Sequence, residues 1–370
     1  IGNYFVQTLP GGILRDLLVE GVIAGVGAII IFLPQILVLM FFMTLLEDTG
    51  YMARVAFMMD RLMNKIGLHG KSVLPLMSGY ACAIPGIMAT RTIDNWKERL
   101  VTILILPLIS CSARLPVYTL MIGAFIPEKK VMGIFNLQGV TMVMMYFLGT
   151  VTALAIAAFI SRFIKEKGIS SFVMELPPYR IPLAKSVFRQ LVIRGKLFIM
   201  NAGKIIMAIS IVLWFLASFP KSEANASALP IQESYAGKIG QAIEPVIAPL
   251  GFDWKIGVGL ITSFAAREVM VSTLATLYNV EEEGDYVVGI TEALKNDINP
   301  ITGLPIYTPL VALSLMIFYV YAAQCMATFA VVKTETNTWK WPIIMILYMT
   351  GLAYAGSLLV YQGGLMLGFA

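Results

Sequence analysis

Apolar runs long enough to cross a bilayer recur along the whole chain, and no other feature restricts its fold as much. A spanning helix needs roughly 20 apolar residues. Gly21 to Leu46, Val131 to Ile160, Pro309 to Val332 and Pro342 to Tyr361 reach that length. In lipid every backbone N–H and C=O must find a partner inside the protein, so such runs fold as helices. With 58% hydrophobic and 13% charged residues and a mean hydropathy of +0.80, the composition lies far from that of soluble domains. The expected fold class is an all-α polytopic membrane protein. The runs are spread along the chain with basic residues between them, so none reads as a removable signal peptide. Ile1 in place of an initiator methionine points to a piece of a longer protein.

The net charge of +5 is read as topology and not as a nucleic-acid footprint. If Glu47 to Arg99 and Arg162 to Lys204 face the cytoplasm, they hold, with Lys333 and Lys340, 18 of the 27 Lys and Arg residues. The opposite side holds seven, and the remaining two, Arg114 and Arg267, fall inside apolar sequence. This asymmetry follows the positive-inside rule. It predicts six crossings and two re-entrant hairpins that enter and leave by one face. Between them, Ala184, Val187, Phe188, Leu191 and Phe198 repeat at helical spacing opposite Lys185, Arg189 and Lys196, which predicts an interfacial helix.

Sliding the chain on itself aligns residues 66–90 with 250–274 without a gap, placing Gly67 on Gly251, Lys71 on Lys255 and Ala81 on Ala265. Cys111-Ser112-Ala113 then aligns with Cys325-Met326-Ala327. The expected organisation is two repeats of inverted topology, an arrangement that places the substrate site at the repeat interface. Residues 1–161 form the first: a crossing, a hairpin at about 54–98, a broken helix at about 100–126 and a crossing at 131–160. Residues 162–203 form a cytoplasmic connector. Residues 204–370 form the second: a crossing, a hairpin at about 250–280, an acidic external loop at 281–308, a broken helix at 309–332 and a crossing at 341–361.

Chemistry is expected where the helices break. Pro107-Leu108-Ile109-Ser110-Cys111-Ser112-Ala113-Arg114-Leu115-Pro116 sets two prolines inside a crossing, and proline leaves carbonyls free one turn earlier. Gly79 to Gly86, around Cys82, would be the tip of the first hairpin, and Tyr321 to Thr328 is the matching polar stretch. Taken singly, a buried cysteine is most often a small core residue. Three at candidate breaks form an inventory suited to a borderline or soft transition-metal cation and unsuited to Na⁺, Mg²⁺ or a sugar. Cys82, Cys111 and Cys325 are therefore the first candidate ligands. Ser110, Ser112, Gln324, Met326, Glu47, Asp48 and Glu268 follow, each with an ordinary packing or solvated alternative. Arg114 and Arg267 would repel a cation unless paired, so both are expected to be salt-bridged structural clamps.

Other motifs fail. Gly67-Leu68-His69-Gly70-Lys71-Ser72 ends like a phosphate-binding loop, but Lys65 stands where that loop requires glycine. His69 is the only histidine, which leaves neither a catalytic triad nor a histidine metal cage. No enzyme active site is expected. The architecture would serve a carrier of nucleosides as well as of a metal, and a scaffold or receptor without flux is a third possibility.

Leu46-Glu47-Asp48-Thr49-Gly50-Tyr51-Met52-Ala53-Arg54, Cys82-Ala83-Ile84-Pro85, Ser110 to Pro116, Ala266-Arg267-Glu268-Val269, Glu175-Leu176-Pro177 and Gln324-Cys325-Met326-Ala327-Thr328 resemble, in order, the membrane region of the ferrous iron transport protein B family. The resemblance implies Fe²⁺ transport across the bacterial cytoplasmic (inner) membrane through two gate repeats similar to those of concentrative nucleoside transporters. It implies that Cys82, Cys111 and Cys325 line the iron path. It also implies a GTP- and Mg²⁺-binding G-protein domain lying N-terminal to these residues, a small FeoA-like regulatory partner, and compatibility with a homo-oligomer. The chain departs from the family in carrying Ala83 where Asn often follows the first cysteine.

Overall fold

The structure, a computed structural model, describes residues 12, 15, 17–131, 135–163, 179–219, 234–264, 266–278, 286–298 and 305–368. The Glu175-Leu176-Pro177 connector and the acidic run Glu281 to Asp285 lie outside these residues. Four helical stretches, 96–125, 137–162, 309–336 and 340–366, are long and apolar enough to cross a membrane. The other two expected crossings fall on α1 (Ala24–Asp48), entered through a π-helical turn at Leu17–Ile23, and on α9 (Lys204–Ser218).

The first half continues with an amphipathic α2 (Tyr51–Ile66) and two short helices, α3 (Val73–Gly79) and α4 (Ala83–Ala89). Then come α5 (Trp96–Ile105), α6 (Leu115–Phe125) and the long α7 (Leu137–Phe163). A ribbon of two-residue strands, β1 (Lys130–Val131) and β2 (Phe135–Asn136), joins α6 to α7 and is a small departure from an all-helical chain. After α8 (Ala184–Phe198) and α9, the same order of parts recurs. It runs through α10 (Tyr235–Ile247), α11 (Trp254–Thr262), α12 (Val269–Leu277), an additional α13 (Tyr286–Lys295), α14 (Pro309–Tyr321), α15 (Met326–Thr336) and α16 (Lys340–Met366). Both closing helices, α7 and α16, have 27 residues.

Local detail repeats as well. Gly67 and Gly251 end the amphipathic segments with φ of 79° and 83°, a left-handed conformation costly for any residue with a Cβ. Each is also pressed onto the closing helix of its half, Gly67 against Ser161 and Gly251 against Tyr361. Two residues later a side chain caps the next helical turn. His69 Nδ1 accepts from the Lys71 N–H at 3.0 Å, and Asp253 Oδ1 accepts from the Ile256 N–H at 3.0 Å.

Two expectations change. The amphipathic segment does not end before the fourth crossing, because α8 passes through the π-helical turn Ile199–Gly203 into α9 with Ile199 and Gly203 both in right-handed helical conformation. No proline interrupts 184–218, so the polar pattern gives way to an apolar one inside one helix. Val187 is buried while Phe188 is exposed. The acidic loop 281–308 also contains α13, held because Ile290 and Leu294, one turn apart, are fully buried.

The apolar core has two parts, and each draws on both halves. One packs α6 against α11, α12, α13 and α14, through Val117, Leu120, Leu260, Met270, Leu294 and Leu315. The other packs α3, α4 and α5 against α15 and α16, through Leu76, Ile87, Ile103, Phe329, Val332 and Met345. The segments that follow the two breaks, α6 and α15, each pack on the opposite half, which brings the α3–α4, α5–α6, α11–α12 and α14–α15 breaks to one region.

Candidate functional site

The first broken helix loses its regular backbone from Leu106 to Arg114. Two 3-10 turns, Leu106–Leu108 and Ser112–Arg114, flank extended residues at Ile109 and Cys111. Carbonyls at the end of α5 have no helical donor there. Arg114 supplies one, with Nη2 donating to Pro107 O at 2.9 Å and Nη1 to Leu108 O at 3.2 Å and Ser110 Oγ at 3.1 Å. This guanidinium is fully buried. The break is tied to the α3–α4 turn, where Ser112 Oγ donates to Ala81 O at 2.9 Å and the Ser112 N–H to the same carbonyl at 3.4 Å. Gly149 of α7 closes the back, since a Cβ there would stand 3.0 Å from Leu108 O.

The second break has the same design with different suppliers. α14 ends at Tyr321, Ala322 is extended, and Cys325 is extended just before α15. The Met326 N–H donates to Phe264 O at 3.1 Å, in the α11–α12 break, matching the tie between Ser112 and Ala81. The free carbonyl of Ala322 accepts from Arg267 Nη2 at 3.1 Å. Here the arginine comes from the α11–α12 turn, and it is 5% exposed.

The expectation of salt-bridged arginines is therefore corrected. Among the described residues neither Arg114 nor Arg267 pairs with a carboxylate; both bind backbone carbonyls. The cause is the break itself, which exposes the partly negative end of a half-helix that a buried cation can neutralise. Three donor groups remain without partners: Arg114 Nε and Arg267 Nε and Nη1.

The three cysteines come together from three elements. Cys82 is extended at the start of α4, Cys111 lies in the first break and Cys325 in the second; all are free and half-buried. The tie of Ser112 to Ala81 O sets Cys111 beside the turn that carries Cys82, and α15, which Cys325 precedes, packs on α4, which Cys82 precedes. Gln324 Oε1 and Glu268 Oε2 are buried without hydrogen-bond partners. Among the described residues no three Cys, His, Asp or Glu side chains are arranged to hold one ion as they stand. Ser110 and Ser112 are engaged in tying the break. Met326 is exposed. Glu47 is exposed and Asp48 half-buried at the end of α1, at the surface and not among the buried groups of the breaks. Arg54 beside them donates to Gly50 O at 2.9 Å and stacks over the Tyr179 ring at 3.5 Å.

Sequence reading missed a clamp at the end of α15. It ended the fifth crossing at Val332, whereas the helix runs to Thr336 and buries Glu335. Arg91 reaches that carboxylate through Nη2 at 2.6 Å and Nε at 3.0 Å, and Arg99 through Nη2 at 2.6 Å. A glutamate one helical turn beyond Val331 and Val332, and so on their face of the helix, was the available signal. A second cluster joins Lys255 Nζ to Asp297 Oδ2 at 2.6 Å, with the Tyr278 hydroxyl donating to the same carboxylate.

Beside that cluster, Asp253 Oδ2 is buried without a partner. Burial pushes this carboxyl from the ordinary 3.8 up to about 6, opposed by the hydrogen bond from the Ile256 N–H. Between those values the native state holds a proton that the unfolded state has lost, so stability falls as pH rises through about 6. Asp253→Asn keeps the cap without the charge. Its thermal midpoint is expected to exceed wild type at about pH 7 by a margin worth roughly 1 kcal/mol, with the two curves converging near pH 4. Coincident curves at both pH values would show that the charge carries no cost there.

Comparison with known proteins places this geometry. A gate family described as nucleoside recognition matches residues 29–125 and 199–339. Ferrous iron transport protein B C terminus matches residues 142–194. The chain belongs to the ferrous iron transport protein B family. The first segment matched by the gate family includes α3 to α6 and the second includes α11 to α15, so both breaks and all three cysteines fall within it. An Fe(2+) transporter FeoB of Leptospira biflexa is 48% identical over 371 residues, covering 100% of this chain and 53% of the relative. An Fe(2+) transport protein A/Fe(2+) transporter FeoB fusion protein of Porphyromonas gingivalis is 39% identical, covering 99% of this chain and 46% of the relative. An Fe(2+) transporter FeoB of Staphylococcus aureus is 39% identical, covering 95% and 49%. The chain spans about half the length of the curated relatives it matches. No solved structure matches.

Proposed function

We propose that these residues form the permeation unit of a ferrous iron transporter of the bacterial cytoplasmic membrane. Fe²⁺ passes between two inverted repeats, in which α3–α4 and α11–α12 are re-entrant hairpins entering from opposite faces. The observation that carries this reading is the meeting of Cys82, Cys111 and Cys325 where the helices break. Thiols bind borderline and soft metals, and the unpartnered oxygens of Gln324 and Glu268 add harder donors beside them. Donors that do not close into one cage suit a cargo that must leave as readily as it enters.

The relatives are about twice as long as this chain, which leaves room for the further part that the family resemblance implies, a GTP- and Mg²⁺-binding domain gating the flux. The fusion relative supports a small FeoA-like partner. A nucleoside site would offer several convergent amides and carboxylates under an aromatic face, whereas the breaks offer one such amide oxygen and one such carboxylate oxygen, from Gln324 and Glu268, beside three thiols and two guanidinium groups.

The test is anaerobic Fe²⁺ entry into proteoliposomes holding the full-length protein, with a nucleoside as competitor. Wild type is expected to pass Fe²⁺ regardless of nucleoside. Correctly folded Cys82→Ser, Cys111→Ser and Cys325→Ser variants are expected to lose roughly tenfold or more of that flux. Full flux in all three would make the cysteines packing residues, and absence of wild-type flux would sink the transport reading.

A further inference from the structure

Carriers built on broken helices commonly use the carbonyl end of a half-helix to coordinate Na⁺. That end carries roughly half a negative charge and several unpaired carbonyl oxygens, a hard ligand set well suited to an alkali ion. In this chain both such ends are occupied from within. The guanidinium of Arg114 sits on Pro107 O at 2.9 Å and Leu108 O at 3.2 Å, closing α5. Arg267 sits on Ala322 O at 3.1 Å, closing α14. Both are buried, and among the described residues neither is engaged by a carboxylate.

We propose that the two guanidinium groups are built-in replacements for the coupling alkali cation of a broken-helix carrier. Each stands where Na⁺ would bind, so cargo moves without Na⁺ coupling and hard monovalent ions find no carbonyl site. The softer donors Cys82, Cys111 and Cys325 are left as the ligands on offer.

Two features make this more than ordinary capping. First, the two arginines do not occupy equivalent places in the two halves. Arg114 belongs to the first broken helix itself, whereas Arg267 lies in the α11–α12 turn and reaches across to the second. The positions matching them by alignment are Thr328 and Ala83, so the same contact is made twice by different routes. Second, each positive charge is fixed by covalent attachment, whereas Na⁺ would bind and leave. A lysine at position 114 would retain the charge without the planar fork that spans Pro107 O and Leu108 O, whereas at position 267, where one carbonyl is bound, it would retain charge and contact alike.

The proposal rests on the transport reading for its consequence but is tested without iron. Full-length protein in detergent would be assayed for saturable ²²Na⁺ binding, comparing wild type with Arg267→Gln and Arg267→Lys, each checked for monodispersity and helical content. Wild type and Arg267→Lys are expected to bind no Na⁺ saturably. Arg267→Gln, which frees Ala322 O and removes the charge, is expected to show saturable Na⁺ binding at concentrations where wild type shows none. Saturable Na⁺ binding by wild type would overturn the proposal, as would a folded Arg267→Gln without it. Binding by Arg267→Lys equal to that of the Gln variant would also overturn it, because position and not charge would then decide. If Arg267→Gln does not fold, Arg114→Gln serves in its place with the same outcomes. A protein that excludes Na⁺ as expected but passes no Fe²⁺ would refute the transport reading and leave this one standing.

Discussion

Glu335→Gln is expected to lower the thermal unfolding midpoint in detergent by roughly 5 °C or more, corresponding to about 2–3 kcal/mol. The carboxylate side chain is 4% exposed and takes charge-assisted bonds from both Arg91 and Arg99. Neutralising it leaves the Arg99 guanidinium, 20% exposed, facing an amide that offers one acceptor oxygen. Arg91, which is 59% exposed, can turn to solvent and limits the loss. The clamp joins the end of α4 and the start of α5 to the end of α15, so its loss loosens one half from the other. Simultaneous change of Arg91 and Arg99 to Gln should cost at least as much as Glu335→Gln, because it leaves the buried carboxylate without a cation. A Glu335→Gln midpoint equal to wild type would show that water replaces the clamp without penalty.

The second large effect is expected at Arg114. Arg114→Met removes three hydrogen bonds from a fully buried guanidinium and leaves Pro107 O and Leu108 O without a donor. Bonds to charged groups contribute about 1.5–3 kcal/mol each and part of this is returned by no longer burying a charge, so a net loss of about 3 kcal/mol is expected. The measurement is again the midpoint in detergent, with Arg114→Lys as an intermediate case. If Arg114→Met matched wild type, the carbonyls would have to find other donors and the break would not depend on this side chain.

The places where the sequence was readable share a cause. Apolar length marked the helices that became α7 and α16, and Pro107 and Pro116 marked the interruption between α5 and α6, because both effects act within a few residues. The alignment of Gly67 with Gly251 was readable for the same reason: each serves a left-handed turn. What depended on distant partners was not readable. Glu335 meets arginines 244 and 236 residues away in sequence, and no local pattern announces such a pair. The arginines at the breaks looked like salt-bridge partners because a sequence displays side-chain charge and hides the free carbonyls that a break creates. Glu47 and Asp48 looked the same as Glu268 on paper, and only the fold separates a helix end at the surface from a buried turn. The join between α8 and α9 was hidden because a change from amphipathic to apolar pattern resembles a boundary even where the backbone runs on.

The packing of α6 and α15 on opposite halves bears on how such a protein is made. The partners of α6 in the core, among them Leu260, Met270 and Leu315, are synthesised long after α6 itself. During translation α6 must wait in or beside the insertion machinery with its packing face against lipid or a chaperone. Contacts closed this late in sequence are slow to form and vulnerable meanwhile. A ribosome stalled between the two halves would therefore release a fragment that cannot reach its own native packing, and quality-control proteases would meet it as an unfinished product.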